Sequence, residues 1–95
     1  MSHGVSNGIR NNPARHRFEL DVEGGMAVAY YQLSPGVITF THTEVPQELW
    51  GQGIGSTLAR GALEAARAQG LKVVAKCPFV GAFIAKHPEF NDLLL

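Results

Sequence analysis

The stretch Thr41-His42-Thr43-Glu44-Val45-Pro46-Gln47-Glu48-Leu49-Trp50-Gly51-Gln52-Gly53-Ile54-Gly55-Ser56-Thr57-Leu58-Ala59 changes its periodicity partway along, and that change decides the fold. Up to Val45 the residues are rich in β-branched and aromatic side chains with a period of two, the mark of a strand. Pro46 ends that strand, because proline has no N–H for the ladder. From Ile54 the apolar positions Ile54, Leu58, Ala62 and Ala66 recur at helical spacing, with Arg60, Glu64 and Arg67 facing away. A strand therefore feeds a helix through a turn carrying three alternating glycines. Without a Cβ, glycine leaves backbone N–H groups open to a ligand. The first helical turn adds unpaired donors and the positive end of the helix dipole. Such a turn suits a phosphate or diphosphate.

Toward the N-terminus, the strand Val37–Val45 places Ile38, Phe40, His42 and Glu44 on one face and the threonines on the other. Ser34-Pro35-Gly36 is a turn, and a further strand spans Met26–Leu33. Glu23-Gly24-Gly25 makes a hairpin turn back to an alternating strand, with Phe18, Leu20 and Val22 opposite Arg17, Glu19 and Asp21. Residues 1–15 contain Gly4, Gly8, Asn11, Asn12 and Pro13 without periodicity, and are expected to form a flexible lead-in to one domain over 16–95.

Toward the C-terminus, Glu64 is expected to pair with Arg60 or Arg67 along the helix. Gly70 caps the helix. Leu71–Cys77 reads as a fourth strand with Leu71, Val73, Ala75 and Cys77 on one face. Pro78 ends it, and Phe79–Lys86 is a shorter helix with Phe79, Ala82 and Phe83 inward. Asn91–Leu95 closes the domain. The fold class is α+β: an antiparallel three-stranded meander plus a fourth strand, with helices packed on the sheet.

Composition narrows the function. Lys plus Arg balances Asp plus Glu, for a formal net charge of +0, so neither a nucleic-acid partner nor an electrostatic membrane association is expected. No apolar run approaches the roughly 18–20 residues that cross a bilayer. Cys77 stands alone, which rules out an intrachain disulfide. One Cys and four scattered His lack paired-ligand spacing, so no metal is expected. The compartment is read as reducing and cytoplasmic.

Among phosphate-binding motifs, the ATP-type loop requires Gly-Lys-Ser/Thr, and here Ser56 follows Gly55 without the lysine. The dinucleotide fingerprint places a glycine where this chain has Ser56, and an acidic residue where it has Lys76 and Cys77. The run from Thr41 to Pro46, the turn Gly51-Gln52-Gly53-Ile54-Gly55-Ser56 and the following Leu58-Ala59 closely resemble the acetyl-CoA-binding segment of GNAT-type N-acetyltransferases. Cys77-Pro78-Phe79-Val80 resembles a compact single-domain group within that superfamily. The resemblance spans roughly residues 17–94. It implies a minimal GNAT-like fold in which the strands ending at Val45 and Cys77 splay apart around the cofactor. It further implies that amides from Gly51 to Ser56 hold the coenzyme A pyrophosphate, and that Glu44 and Val45 pair with pantetheine like an added strand. In this sequence Trp50 replaces the usual Arg or Gln, and Ile84 falls where many members carry a proton-donating Tyr.

Acetyl transfer from acetyl-CoA to an amine requires a base, a stabilised oxyanion and a proton for the leaving thiolate. Imidazole is the side chain suited to giving or taking a proton near neutral pH, and His42 is the candidate base. Cys77 is a candidate acyl carrier if a pairing with His42 activates its thiol, against the plainer reading of a core residue. Glu44 shares the face of His42 and is a candidate to orient it. The competing reading is a coenzyme A or acyl-CoA-binding module without chemistry of its own. The amine acceptor is not encoded in any recognisable motif.

Overall fold

The alternation around Phe18 and Leu20 and the apolar run after Gly25 produce two strands joined by a tight turn, and the rest of the sheet grows from this hairpin. The computed structural model describes residues 8–95. Five strands lie in the order β1 (Ile9–Asn12), β2 (Arg17–Val22), β3 (Gly25–Ser34), β4 (Val37–Glu44) and β5 (Lys72–Ala75). The first four pair antiparallel, and β5 joins β4 in parallel. A parallel partner requires a crossover, which α1 (Ile54–Ala68) supplies. After β5 come α2 (Pro78–Lys86) and a 3-10 segment at Pro88–Leu93, whose end bridges back to the sheet at Val73 and Leu94. The architecture is α+β, a mixed sheet with helices packed on it.

One core joins the sheet to both helices. Phe18, Leu20, Ala27, Ala29, Tyr31, Ile38 and Phe40 meet Leu58, Ala59, Ala62, Leu63 and Ala66 of α1 and Val80, Phe83 and Ile84 of α2. The alanines let the α1 backbone lie close to the strands. Each fully buried Leu or Phe side chain contributes about 1.5–3 kcal/mol.

Three expectations change. The lead-in expected over 1–15 contains a strand and a 3-10 turn, at Ile9–Asn12 and Pro13–Arg15, while residues 1–7 lie outside the described part. The cause is tertiary. Ile9 packs against Gly61 so closely that a Cβ there would sit 2.6 Å from Ile9 Cγ1. Second, Glu64 does not pair along its helix: Arg60 reaches Glu89 at 3.3 Å and Arg67 reaches Asp92 at 2.8 Å, which fastens the C-terminal segment to α1. Third, Phe79 and Ala82 are not inward; Val80, Phe83 and Ile84 are.

The one buried charged residue in the described chain, Glu19, explains how a strand as polar as β1 stays in place. Its carboxylate accepts bonds from Arg17 Nε at 2.7 Å, Asn12 Nδ2 at 2.9 Å and Arg10 Nε at 3.0 Å. The Arg17 bond, then the Asn12 bond, hold the Glu19 carboxyl below its ordinary range. A depressed carboxyl pKa stabilises the fold above the unfolded-state value and loses that contribution as pH falls through the folded value. Glu19→Gln is therefore expected to lower stability at neutral pH and to cost less in acid below the usual carboxylate range. Denaturant titrations of both proteins at pH 7 and pH 3 check this, and equal losses at the two pH values would contradict it.

Candidate functional site

The site begins where two parallel strands stop pairing. The β4–β5 register runs from Val37–Lys72 to Phe40–Ala75 and ends there. The amides of Lys76 and Cys77 then both donate to the same carbonyl, Phe40 O, at 3.0 and 2.9 Å. Pro78 follows as the first residue of α2 and takes the chain away from the sheet. On this side β4 runs on to Glu44 without β5, leaving a cleft of about 690 Å³.

Its walls are Thr43, Glu44 and Val45 from the strand end, Leu49 and Trp50 from the link, Gly51, Gly53, Ile54, Gly55 and Ser56 from the glycine turn, and Phe79 from α2. The two motifs singled out in the sequence thus share one cavity. Of the expected cofactor residues, only Gln52 is absent from the lining.

The glycines divide by role. Gly51 and Gly53 have φ of 85° and 77°, a left-handed backbone that glycine adopts without cost. A Cβ on either would meet nothing within 4 Å, so both face open space. Gly55 is different, since a Cβ there would lie 2.6 Å from Phe79 Cζ. Its smallness serves packing between the starts of the two helices. Gly53 is the N-cap of α1 and no side chain caps the helix. Thr57 N is bonded to Gly53 O at 3.0 Å, so the amides of Ile54, Gly55 and Ser56 precede the first intrahelical bond. No Lys or Arg lines the cleft. Attraction for an anion there comes from amides and a helix terminus carrying roughly half a positive charge.

A bulge on β4 rearranges the candidate catalytic residues. Tyr30 pairs with His42 and its neighbour Tyr31 pairs with Phe40, which leaves Thr41 unpaired. One extra residue shifts the side-chain phase by one. His42 therefore leaves the face of Phe40, where simple alternation had placed it, and Thr43 takes that direction. Thr43 Oγ1 lies 3.2 Å from Cys77 Sγ. His42 stacks beside Tyr30, with ring centroids 6.2 Å apart and 18° between planes. Its Nε2 is 3.0 Å from Glu44 Oε2, with both side chains about 60% exposed.

The structure thus brings His42 and Glu44 together but not His42 and Cys77. The proposed His–Cys pairing fails because the bulge sends the imidazole to the other face of β4. Cys77 is 3% exposed and lies behind Thr43. Ile84, which the resemblance aligns with a Tyr, is a buried core residue. Sequence reading missed Thr43, Leu49 and Phe79 as cleft residues. Pro78 at the first position of α2 was the available signal for Phe79, since it fixes where the helix starts and hence its phase. Among the described residues no cluster of three or more His, Cys, Asp or Glu could hold a metal, and no helix is long and apolar enough to cross a membrane.

Comparison with known proteins agrees with this geometry. Residues 17–93 match the family described as GCN5-related N-acetyl-transferase. The NMR solution structure of a GCN5-like candidate N-acetyltransferase from Staphylococcus aureus superimposes with a TM-score of 0.71 at 30% identity, covering 96% of this chain and 91% of that one. A search of curated proteins gave no match.

The burial of Cys77 has a direct consequence. The thiol is expected to react with a disulfide reagent roughly a hundredfold more slowly in the folded protein than in denaturant, as buried thiols are inert. Absorbance of the released thiolate checks this, and equal rates would contradict the placement of Cys77 behind Thr43.

Proposed function

This chain belongs to the GCN5-related N-acetyltransferase family, and from that premise we propose that its cleft binds acetyl-CoA and delivers the acetyl group directly to an amine. The observation that carries this reading is the convergence of the free end of β4 and the open glycine turn on one cavity. The diphosphate lies on backbone amides of the run Gly51 to Ser56, Gln52 included, and the pantetheine arm extends along Glu44 and Val45. The acetyl end then points to Thr43, beyond Phe40, where β4 and β5 part.

In the reaction, the amine nitrogen attacks the thioester carbon, and the carbonyl oxygen takes up negative charge. The C–S bond then breaks, releasing the coenzyme thiolate, while the attacking nitrogen gives up a proton. His42, which lies outside the cleft lining and is joined to it through Glu44, is the proposed acceptor of that proton. Glu44, 3.0 Å from its Nε2, orients the ring. The acceptor is an amine not yet identified, with no nucleic acid or membrane as partner. The single reduced cysteine fits a cytoplasmic location.

Direct transfer is preferred to an acetyl-Cys77 intermediate because the thiol is buried and its expected imidazole partner points elsewhere. A second reading, a coenzyme A-binding module without chemistry, is favoured by the sequence resemblance, in which Ile84, a buried core residue, falls where many members carry a proton-donating Tyr.

Two measurements separate these readings. Gly53→Glu places a carboxylate in the phosphate position, and losing two charge-assisted hydrogen bonds at about 1.5–3 kcal/mol each predicts at least about a hundredfold weaker binding of coenzyme A. Calorimetry on the folded variant checks this, and an unchanged Kd would defeat the proposal. With Cys77→Ala, turnover of acetyl-CoA with an amine is expected to persist. His42→Ala is expected to lower kcat by about 10²–10⁴-fold with coenzyme A affinity retained. Loss of turnover in Cys77→Ala alone would establish the acetyl-cysteine route, and no turnover in the unsubstituted protein with any amine would favour the binding module.

A further inference from the structure

Trp50 is the only tryptophan in the chain, and it is 66% exposed at the lip of the cleft. An indole left in water gives up most of its burial energy, so its placement calls for a cause. The link Gln47–Leu49 is a single 3-10 turn, held by Leu49 N to Pro46 O at 2.9 Å and Trp50 N to Gln47 O at 3.1 Å. That turn folds the side chain back five residues, and its Nε1–H donates to Val45 O at 2.9 Å. Val45 lies just past the end of β4, on the stretch where β5 no longer pairs. An unpaired carbonyl at a strand end is a vacant acceptor, and the indole fills it.

We propose that Trp50 is a placeholder for the cofactor, its indole N–H occupying the Val45 carbonyl in the empty cleft and yielding it to an amide N–H of the pantetheine arm. This rests on the cofactor reading above and adds to it a residue that competes with the ligand. The exchange is one N–H donor for another on the same oxygen, so the count of hydrogen bonds is conserved. The displaced ring is already largely in water, so its release sacrifices little buried surface. Only a ligand with the pantetheine arm drives the exchange. A diphosphate nucleotide without that arm reaches the glycine turn and leaves the indole where it is.

Because no other tryptophan contributes, intrinsic fluorescence reports the ring directly. Coenzyme A is expected to change the emission along a curve that saturates with the calorimetric Kd, while ADP, which has the diphosphate and no pantetheine, leaves it unchanged. Trp50→Phe keeps an aromatic ring and removes the donor. It is expected to bind coenzyme A about fivefold more tightly, the worth of one neutral hydrogen bond, with ADP affinity unaltered. Coenzyme A binding by calorimetry with silent fluorescence, or weaker coenzyme A binding by Trp50→Phe, overturns the placeholder and leaves the cofactor reading standing. Absence of calorimetric coenzyme A binding overturns both.

Discussion

The carbonyl of Phe40 takes two amides, those of Lys76 and Cys77, and everything at the site follows from that doubled bond. It marks the last point at which β4 and β5 are joined. Beyond it one strand continues and the other gives way to a helix that begins with proline. A parallel sheet normally satisfies its backbone along its whole length. Here the pairing is abandoned while β4 still has four residues to run, from Thr41 to Glu44. The resulting cleft has backbone on its strand side and, across from it, the open start of α1. Those surfaces offer hydrogen-bonding groups rather than cationic side chains, since no Lys or Arg lines the cleft.

The bulge at Thr41 acts on the same strand. By advancing the side-chain phase one residue, it sends Thr43 toward Cys77 and the core, and sends His42 out beside Tyr30. One strand thus presents the cleft with a hydroxyl over a buried thiol and presents an imidazole on its other face, with Glu44 at the strand end both lining the cleft and bonded to that imidazole.

Much of the fold was legible from periodicity. β2, β3, β4 and α1 follow from alternation, turn glycines and an apolar helical stripe, all local signals. The place of the glycine turn was legible as well: Gly51 and Gly53 line the cleft with open space around them. What escaped reading is non-local. β1 is Ile-Arg-Asn-Asn, without an apolar pattern, and is held by Glu19 and by the notch at Gly61. The bulge is invisible because it is defined by two residues of β3 facing three of β4. Arg60 and Arg67 satisfy the helix-pairing rule on paper, yet find Glu89 and Asp92 because the C-terminal segment folds over them. Gly55 was read as a ligand-binding residue, while its contact with Phe79 shows a packing constraint that only the fold creates.

The central claim is that backbone amides at the start of α1 grip the diphosphate of coenzyme A. Titration of the uniformly ¹⁵N-labelled protein with coenzyme A, followed residue by residue in amide spectra, tests it most directly. The account predicts that the amides of Gly51, Gly53, Ile54, Gly55 and Ser56 shift together and saturably, with β1 and the far end of the sheet unmoved. Amides at the turn that stay in place at millimolar coenzyme A would contradict it.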